Sequence, residues 1–374
     1  AVPIGAIGAK YGLSSAMLSR EPYGKYGSWL IALTLALSLG IGWFGWQVAL
    51  FADTIHALAP NTFLTSRAVA CIWGGGLMVL TATVGFKAMG VLSFIAVPMM
   101  LTFFGYGTVT ALVQSSVPFS QLLTLAPASM GTIGQGVTMA VGITAAGAIG
   151  MADITRYAKS PRQAGISGTL GYLGGALFCE CAGALIIVVS KLLLGNATSN
   201  LIEAMLGLGL GVGCLIMLIL AQWTTNDNNL YSGALGLTSM LNIKKPTACV
   251  IMGALGIVIA LAGIQDYFVP FLPTLGLLVP PMGGVLLSHY LIVRPSWKRD
   301  SASSLGETFP GVNFVALIAT IGAAAISHFW VIAVPPPLVG VVSALLIYAV
   351  VTAVLDNLGI RYKVGEHTRE DLAC

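Results

Sequence analysis

Long apolar runs separated by short polar connectors are the feature that most restricts how this chain can fold. Of its 374 residues, 57% are hydrophobic and only 8% are charged, whereas soluble domains carry about 25% charged residues. A helix needs about 20 predominantly apolar residues to cross a bilayer. The sequence therefore predicts an all-α, polytopic membrane protein.

Ten of the apolar runs are long enough for a full membrane-spanning helix. The predicted spans are Ser28–Leu58, Ala68–Phe86, Met89–Val113, Gly131–Tyr157, Gly165–Leu194, Met205–Met240, Thr247–Ala262, Tyr267–Val293, Val312–Trp330 and Pro337–Val354. The residues before the first span, Ala1–Ala9, have the composition of the last turns of one more membrane helix. We therefore expect the chain to be truncated at its N-terminus.

The basic residues indicate how these spans are oriented. Only Arg67 and Lys191, of 17 Lys and Arg residues, fall on one side of the ten predicted spans. The side rich in Lys and Arg is normally cytoplasmic. We therefore expect a multi-pass protein of the inner (plasma) membrane whose C-terminus is cytoplasmic. The dispersed net charge of +4 suggests no nucleic-acid partner, and no obligate protein partner is evident.

A polar stretch, Gln222 to Asn229, interrupts one of the apolar runs. A charge at the centre of a spanning helix costs roughly 2.5–3.5 kcal/mol even on a mild insertion scale, so such residues normally face a bundle interior or a wet cavity. Hydroxyl and amide groups suit a small cation or a solute with hydrogen-bond donors and acceptors. The stretch is therefore the main candidate site; the alternative is a capped helix end or a loop beyond Leu220.

The first full span offers a second candidate position. Trp43 and Gln47 are four residues apart and therefore share one helix face. An aromatic plane beside a carboxamide suits a flat heterocycle, because the ring stacks while the amide bonds the heterocycle's edge. The alternative is that Trp43 is a packing or membrane-interface residue.

Glycines cluster between Gly142 and Gly150 in the fourth span. Glycine weakens a helix by about 1 kcal/mol relative to Ala, and transporter helices that break in mid-membrane expose backbone groups to the cargo. The same glycines would also allow a neighbouring helix to pack closely. Both interpretations remain open.

Four charged residues are candidates for coupling or gating. Asp153 and Arg156 are three residues apart near a predicted cytoplasmic end, where they would form a local ion pair or a gate latch. Glu180 stands alone in the fifth span and could carry protons or face a partner helix while protonated. Asp227 lies in the polar stretch itself.

Four segments together resemble the nucleobase–cation symporter family, and most closely its cytosine-permease branch. They are Gly42-Trp43-Phe44-Gly45, Ala152-Asp153-Ile154-Thr155-Arg156-Tyr157, Trp223-Thr224-Thr225-Asn226-Asp227-Asn228 and Pro280-Pro281-Met282-Gly283-Gly284-Val285. They occur in the family's order, and the resemblance covers essentially the whole chain. The Trp-Thr-Thr-Asn-Asp-Asn run is the most specific of them.

The resemblance implies an inverted five-helix-repeat transporter fold of twelve helices, of which the chain would lack helix one and most of helix two. Residues 1–374 would then form a single transporter domain. Within it, 1–9 would end the truncated helix, 28–293 would hold the rest of the two repeats, 312–354 would add two helices, and 355–374 would be a cytoplasmic tail.

The resemblance also implies roles for individual residues. Trp43 would stack on the base and Asn226 would line the substrate pocket. Gln47 falls where hydantoin-transporting relatives have a substrate-binding Gln, whereas cytosine permeases have a small residue. Thr144 falls where relatives place a second stacking aromatic. The sodium ligands would be the carbonyl of Ala221 and the side chains of Thr224 and Thr225.

The leading hypothesis is a secondary active permease that imports a small planar nitrogen heterocycle. The cargo would be cytosine, another pyrimidine, a purine or a hydantoin-like ring, coupled to Na⁺ or H⁺, and no cofactor is expected besides the co-transported ion. One alternative is a membrane-embedded enzyme that uses Asp227 or Glu180, although no His–carboxylate or Cys–His constellation supports it. A passive small-solute channel is the other.

Overall fold

The computed structural model describes residues 1–125, 132–195, 200–296, 311–330 and 334–359. Within these ranges the regular structure is helical throughout, with no strand. Seven of the described helices are long and apolar enough to cross a membrane. The all-α, polytopic fold class predicted from the sequence is therefore confirmed.

We number the longer helices in chain order. They are α1 (Val2–Tyr11), α2 (Ser15–Tyr23), α3 (Trp29–Leu58), α4 (Arg67–Val84), α5 (Phe86–Gln114), α6 (Ile133–Thr155), α7 (Pro161–Leu194), α8 (Leu201–Gly207), α9 (Gly211–Leu241), α10 (Lys245–Leu261), α11 (Gln265–Val293), α12 (Phe314–His328) and α13 (Pro336–Asn357). Short π-helical segments lie within α3 (Leu35–Trp43), α7 (Gly168–Gly174) and α11 (His289–Val293).

Each predicted span has a helix at the same place, but the number that cross the membrane remains a prediction. Helices α9 and α10 meet the length and hydropathy requirement only as a pair, with a bend of 116° between them, and α12 is apolar but shorter. The predicted start of the sixth span at Met205 is wrong. Gly209 and Gly211 have positive φ values of 67° and 75°. Glycine adopts such values readily, but a right-handed helix requires negative φ, so the helix is interrupted there.

Helix α2 lies between Ala9 and the first predicted span, where the sequence predicted no membrane-spanning helix. Its first turn is capped by Ser14, whose side chain accepts the Met17 N–H, and most of its residues are buried. The Arg20 guanidinium donates to the Ser239 carbonyl at the end of α9 (2.8 Å). The Tyr23 hydroxyl lies 2.8 Å from that of Thr320 in α12. This short helix therefore connects elements that are far apart in the sequence.

A buried ion pair fixes α2 to the end of α11. Glu21 accepts a hydrogen bond from Arg294 Nε (2.9 Å), and the imidazole of His289 lies 3.5 Å from the same carboxylate. Burial alone would raise the pKa of Glu21, but the hydrogen bonds and positive charges of His289 and Arg294 outweigh it and hold this pKa below its ordinary value. Removing one partner of such a pair leaves an uncompensated buried charge, so this contact anchors α2 to the end of α11.

The glycine-rich part of α6 is a close-packing surface and not a break. Helix α6 continues without interruption from Ile133 to Thr155. A Cβ atom at Gly142 would overlap the Leu272 carbonyl of α11, and one at Gly276 of α11 would overlap the Thr138 carbonyl of α6. Glycine is therefore needed on both helices, as expected where small residues let two membrane helices approach.

We expect Gly142→Ala to lower the melting temperature of the purified protein, since overpacking of this kind costs roughly 1–3 kcal/mol. Gly136→Ala is the matched control on the same helix, because beyond the local backbone of α6 no atom lies within 4 Å of the added Cβ. The control should be neutral or slightly stabilising, given the higher helix propensity of Ala. Equal melting temperatures for the two variants would contradict the close α6–α11 contact.

Candidate substrate and cation site

The polar stretch Gln222–Asn229 is helical and lies in the middle of α9. It is therefore neither a helix end nor a loop, and the alternative left open by the sequence is wrong. Its side chains divide into groups because successive residues of an α-helix point about 100° apart. Each group has a different environment.

One group of amides faces α3. The Gln222 side chain donates to Thr54 Oγ1 (3.2 Å), and Asn226 Nδ2 donates to the Phe44 carbonyl (3.1 Å). Gln222, Asn226 and Asn229 are all at most 9% exposed. Gln222 and Asn226 therefore hold α9 against α3 by polar contacts inside the bundle.

A different face of α9 carries the predicted sodium ligands. Thr224 Oγ1 donates to the Ala221 carbonyl (3.1 Å), so two of the proposed ligand oxygens are already adjacent. The Asn228 side chain donates to the Thr224 carbonyl (3.0 Å). Thr225 and Asn228 are exposed. Hard, neutral oxygen atoms grouped in this way are chemically suited to a small cation.

Trp43 lies in an aromatic cluster between α3 and α11. Its ring meets Phe268 edge to face with 4.7 Å between centroids, and Trp46 meets it at 5.7 Å. Phe268 in turn stacks on Trp46 at 4.2 Å, with an angle of 17° between the planes. The indole is 8% exposed, and its Nε1 has no hydrogen-bond partner among the described residues. A buried donor without a partner is costly and is suited to an acceptor atom on a bound molecule.

The other predicted substrate residues have different surroundings. Gln47, one turn from Trp43, is 9% exposed. Asn226 is fully buried and contacts Phe44 of α3 and Met78 of α4. Thr144 lies beside α7, where the Tyr172 hydroxyl donates to its carbonyl. Their roles in substrate binding therefore remain predictions.

Asp153 and Arg156 do not form the expected local ion pair among the described residues. The Asp153 carboxylate accepts the backbone N–H of Ser15 (2.8 Å), at the N-terminus of α2, where the helix dipole favours a negative charge. Arg156 donates to the hydroxyls of Tyr231 in α9 (2.7 Å) and Tyr157 (2.8 Å). Each side chain bonds instead to a partner on a neighbouring element.

The two acidic residues considered for catalysis lie on different helices and in different environments. Glu180 is exposed on α7. Asp227 is fully buried and accepts a hydrogen bond from Thr81 of α4 (2.5 Å). No group of three or more His, Cys, Asp or Glu side chains in the described residues could hold a metal ion. Glu180 and Asp227 therefore do not form an acid–base pair with each other.

Sequence reasoning missed three residues that shape these sites: Thr81, Phe268 and Tyr231. Thr81 is a common hydroxyl residue in an apolar span, and nothing in its neighbourhood marks it. Phe268 could have been noticed as an aromatic residue just before the prolines of α11. Tyr231 follows the polar stretch at a spacing of four from Asp227 and would extend the polar pattern by one turn.

Comparison with known proteins shows what class of protein has this fold. The family model for permeases for cytosine/purines, uracil, thiamine and allantoin matches residues 1–352. The cytosine permease of Escherichia coli is 30% identical over 354 residues, which cover 95% of this chain and 80% of that protein. The hydantoin permease of Microbacterium maritypicum is 25% identical over 347 residues, covering 85% of this chain and 69% of that protein.

A solved structure has the same fold. It is that of Mhp1, a nucleobase-cation-symport-1 family transporter, in a closed conformation with bromovinylhydantoin bound. The TM-score is 0.76 at 22% identity, and the match covers 97% of this chain and 83% of that one. The fold is therefore that of a membrane transporter. The chain belongs to the cytosine/purine permease family, within the nucleobase–cation symporters, and is not an enzyme.

We expect Tyr231→Phe to lower the melting temperature, because Arg156 loses the acceptor that ties α6 to α9. Hydrogen bonds to charged groups contribute about 1.5–3 kcal/mol. Tyr26→Phe is the control, since that tyrosine is 53% exposed. If both variants have the same melting temperature as the unmodified protein, the Arg156–Tyr231 contact contributes nothing to stability.

Proposed function

We propose that this protein is a secondary active permease that imports a small planar nitrogen heterocycle together with a sodium ion. It would lie in the inner (plasma) membrane with its C-terminus in the cytoplasm. The observation that carries the proposal is the pairing of two features. One is the buried indole of Trp43 on α3, whose Nε1 has no hydrogen-bond partner among the described residues; the other is the face of α9 that groups the Ala221 carbonyl with the Thr224 and Thr225 hydroxyls.

The chemistry of the Trp43 site supports a flat, hydrogen-bonding ring as cargo. An indole offers a stacking surface, and its Nε1–H acts only as a donor. Gln47, on the same face of α3, could donate and accept at the edge of the ring. The names of the relatives point the same way, because cytosine and hydantoin are both small planar nitrogen heterocycles.

Sodium is favoured over a proton as the coupled ion. The carbonyl of Ala221 and the hydroxyls of Thr224 and Thr225 are ligands that do not titrate in the physiological range. Two of these oxygens already lie 3.1 Å apart on one helix face. Glu180 and Asp227 are the alternatives for coupling to protons, and they lie away from this face.

Alternating access would move α6 and α11 relative to α3 and α9, as repeat units rock around a central site in such transporters. Phe268 of α11 covers Trp43 in the conformation described. Arg156 of α6 binds Tyr231 of α9, and Asp153 holds α2 on α6. In this scheme Arg156 is a latch at the cytoplasmic side and Asp153 is its support.

The test is thermal unfolding of the purified protein with cytosine, uracil, hypoxanthine, allantoin and hydantoin, in sodium and in potassium buffer. We expect one ring to raise the melting temperature, and more strongly in sodium. Uptake into proteoliposomes then separates mechanisms: a symporter accumulates the ring against its gradient only when a sodium gradient is present. Uptake that never exceeds equilibrium would show a passive channel, and no response to any ring would exclude the proposed cargo class.

For Trp43→Ala we expect affinity for that ring to fall about fivefold or more, as loss of an aromatic pair of about 1 kcal/mol implies. Stabilisation by sodium without the ring should persist. Trp29→Ala, on the same helix but 38% exposed, is the control and should bind normally. Unchanged affinity in the Trp43 variant would remove this residue from the site.

A further inference from the structure

A single hydroxyl group on α4 contacts two side chains of the polar stretch of α9. Trp223 Nε1 donates to Thr81 Oγ1 (3.0 Å), and Thr81 Oγ1 donates to Asp227 Oδ1 (2.5 Å). Trp223 and Asp227 are four residues apart and therefore stand one above the other on the same side of the helix. Thr81 thus holds α9 at two consecutive turns.

Loss of this contact would leave the buried carboxyl of Asp227 without its hydrogen bond to Thr81. Asp227 is fully buried, and its second oxygen, Oδ2, has no hydrogen-bond partner among the described residues. Thr81 therefore supplies the hydrogen bond on which this carboxyl depends. Buried polar groups without partners are strongly unfavourable, so α9 is stable in the orientation that keeps Asp227 against Thr81.

That orientation also sets the direction in which the other polar groups of α9 point. Gln222 and Asn226 bond to α3, and Asn226 also contacts Met78 of α4, while Trp223 and Asp227 bond to Thr81 of α4. At about 100° per residue, the direction midway between these two groups is opposite to the face that carries four other residues. Those residues are Ala221, Thr224, Thr225 and Asn228.

We propose that Thr81 is a positioning residue for cation binding: its hydroxyl locks the rotation of α9 and so presents Ala221, Thr224 and Thr225 to the ion. The inference rests on the proposed function, in which this face binds sodium. Thr81 itself does not touch the ion. The bonds of Gln222 and Asn226 to α3 remain when Thr81 is changed, so they act as the pivot about which α9 would turn.

Sodium alone is the probe in the first experiment. The melting temperature of the protein is measured against sodium concentration, with potassium replacing sodium and no heterocycle present. Thr81→Val keeps the shape of the side chain and removes the hydroxyl, and we expect the half-saturating sodium concentration to rise about tenfold. Thr81→Ser keeps the hydroxyl and should restore the sodium response.

Thr83→Val is the matched control, two residues further along α4. Its hydroxyl donates to the Val79 carbonyl of its own helix (2.6 Å). The control can lower the melting temperature in potassium but should leave the half-saturating sodium concentration unchanged. A purely structural role for Thr81 would give the same pattern, with loss of stability and no change in sodium affinity, and would overturn the proposal.

A second experiment measures the rotation of α9 without reference to sodium. Asn228 is exposed and Asn229 is buried, so single cysteines at these positions should differ in their rate of alkylation by N-ethylmaleimide. The two substitutions, Asn228→Cys and Asn229→Cys, are made in a background in which the 6 native cysteines are replaced by alanine. We expect Thr81→Val to reduce the difference between the two rates, and Thr81→Ser and Thr83→Val to preserve it.

The two experiments together separate this inference from the proposed function. Unchanged alkylation rates in Thr81→Val would overturn the rotation lock whatever the sodium data show. Altered alkylation rates with unchanged sodium affinity would show that the rotation of α9 set by Thr81 does not control sodium binding. A wild-type protein that does not respond to sodium would refute the sodium site, while the alkylation data would still decide whether Thr81 sets the orientation of α9.

Discussion

The need to satisfy buried polar groups inside a membrane protein governs the centre of this structure. Helix α9 carries a row of amide, hydroxyl and carboxyl groups where lipid offers no hydrogen-bond partner. Its amides bond to α3 and its carboxyl bonds to Thr81 of α4. These contacts leave one polar face of the helix unbonded to the two supporting helices, and that face is the candidate cation site.

Close approach of helix backbones is the second constraint on this structure, because it lets α3 pack against α9 and α6 pack against α11. A Cβ atom at Gly233 of α9 would lie 2.6 Å from the Gly40 Cα of α3. Gly142 and Gly276 allow a similarly close contact between α6 and α11. The π-helical segment that contains Gly40 ends at Trp43, and such segments are frequent at functional sites. Packing of small residues thus brings α3 against α9 at Gly40, and one turn further along Trp43 contacts Phe268 of α11.

The sequence was informative wherever a residue type is unusual in the middle of a membrane helix. The polar stretch could be recognised because a buried charge is expensive in any membrane helix, and Trp43 because glycines surround it in mid-span. The pairing of Asp153 with Arg156 was expected from their spacing, yet Asp153 binds α2 and Arg156 binds Tyr231. Spacing along a helix identifies possible partners, but competing partners on other helices decide between them.

Length, hydropathy and local motifs therefore determined the all-α membrane fold, the approximate helix boundaries and the transporter family. These properties depend on interactions with the solvent or within about one turn, which a sequence shows directly. Tertiary structure alone decided that α2 is a buried connector and how α9 is rotated about its axis. Both depend on contacts such as Thr81 with Asp227, 146 residues apart in the chain. The rotation of a helix about its axis is set by such distant neighbours, and no local pattern encodes it.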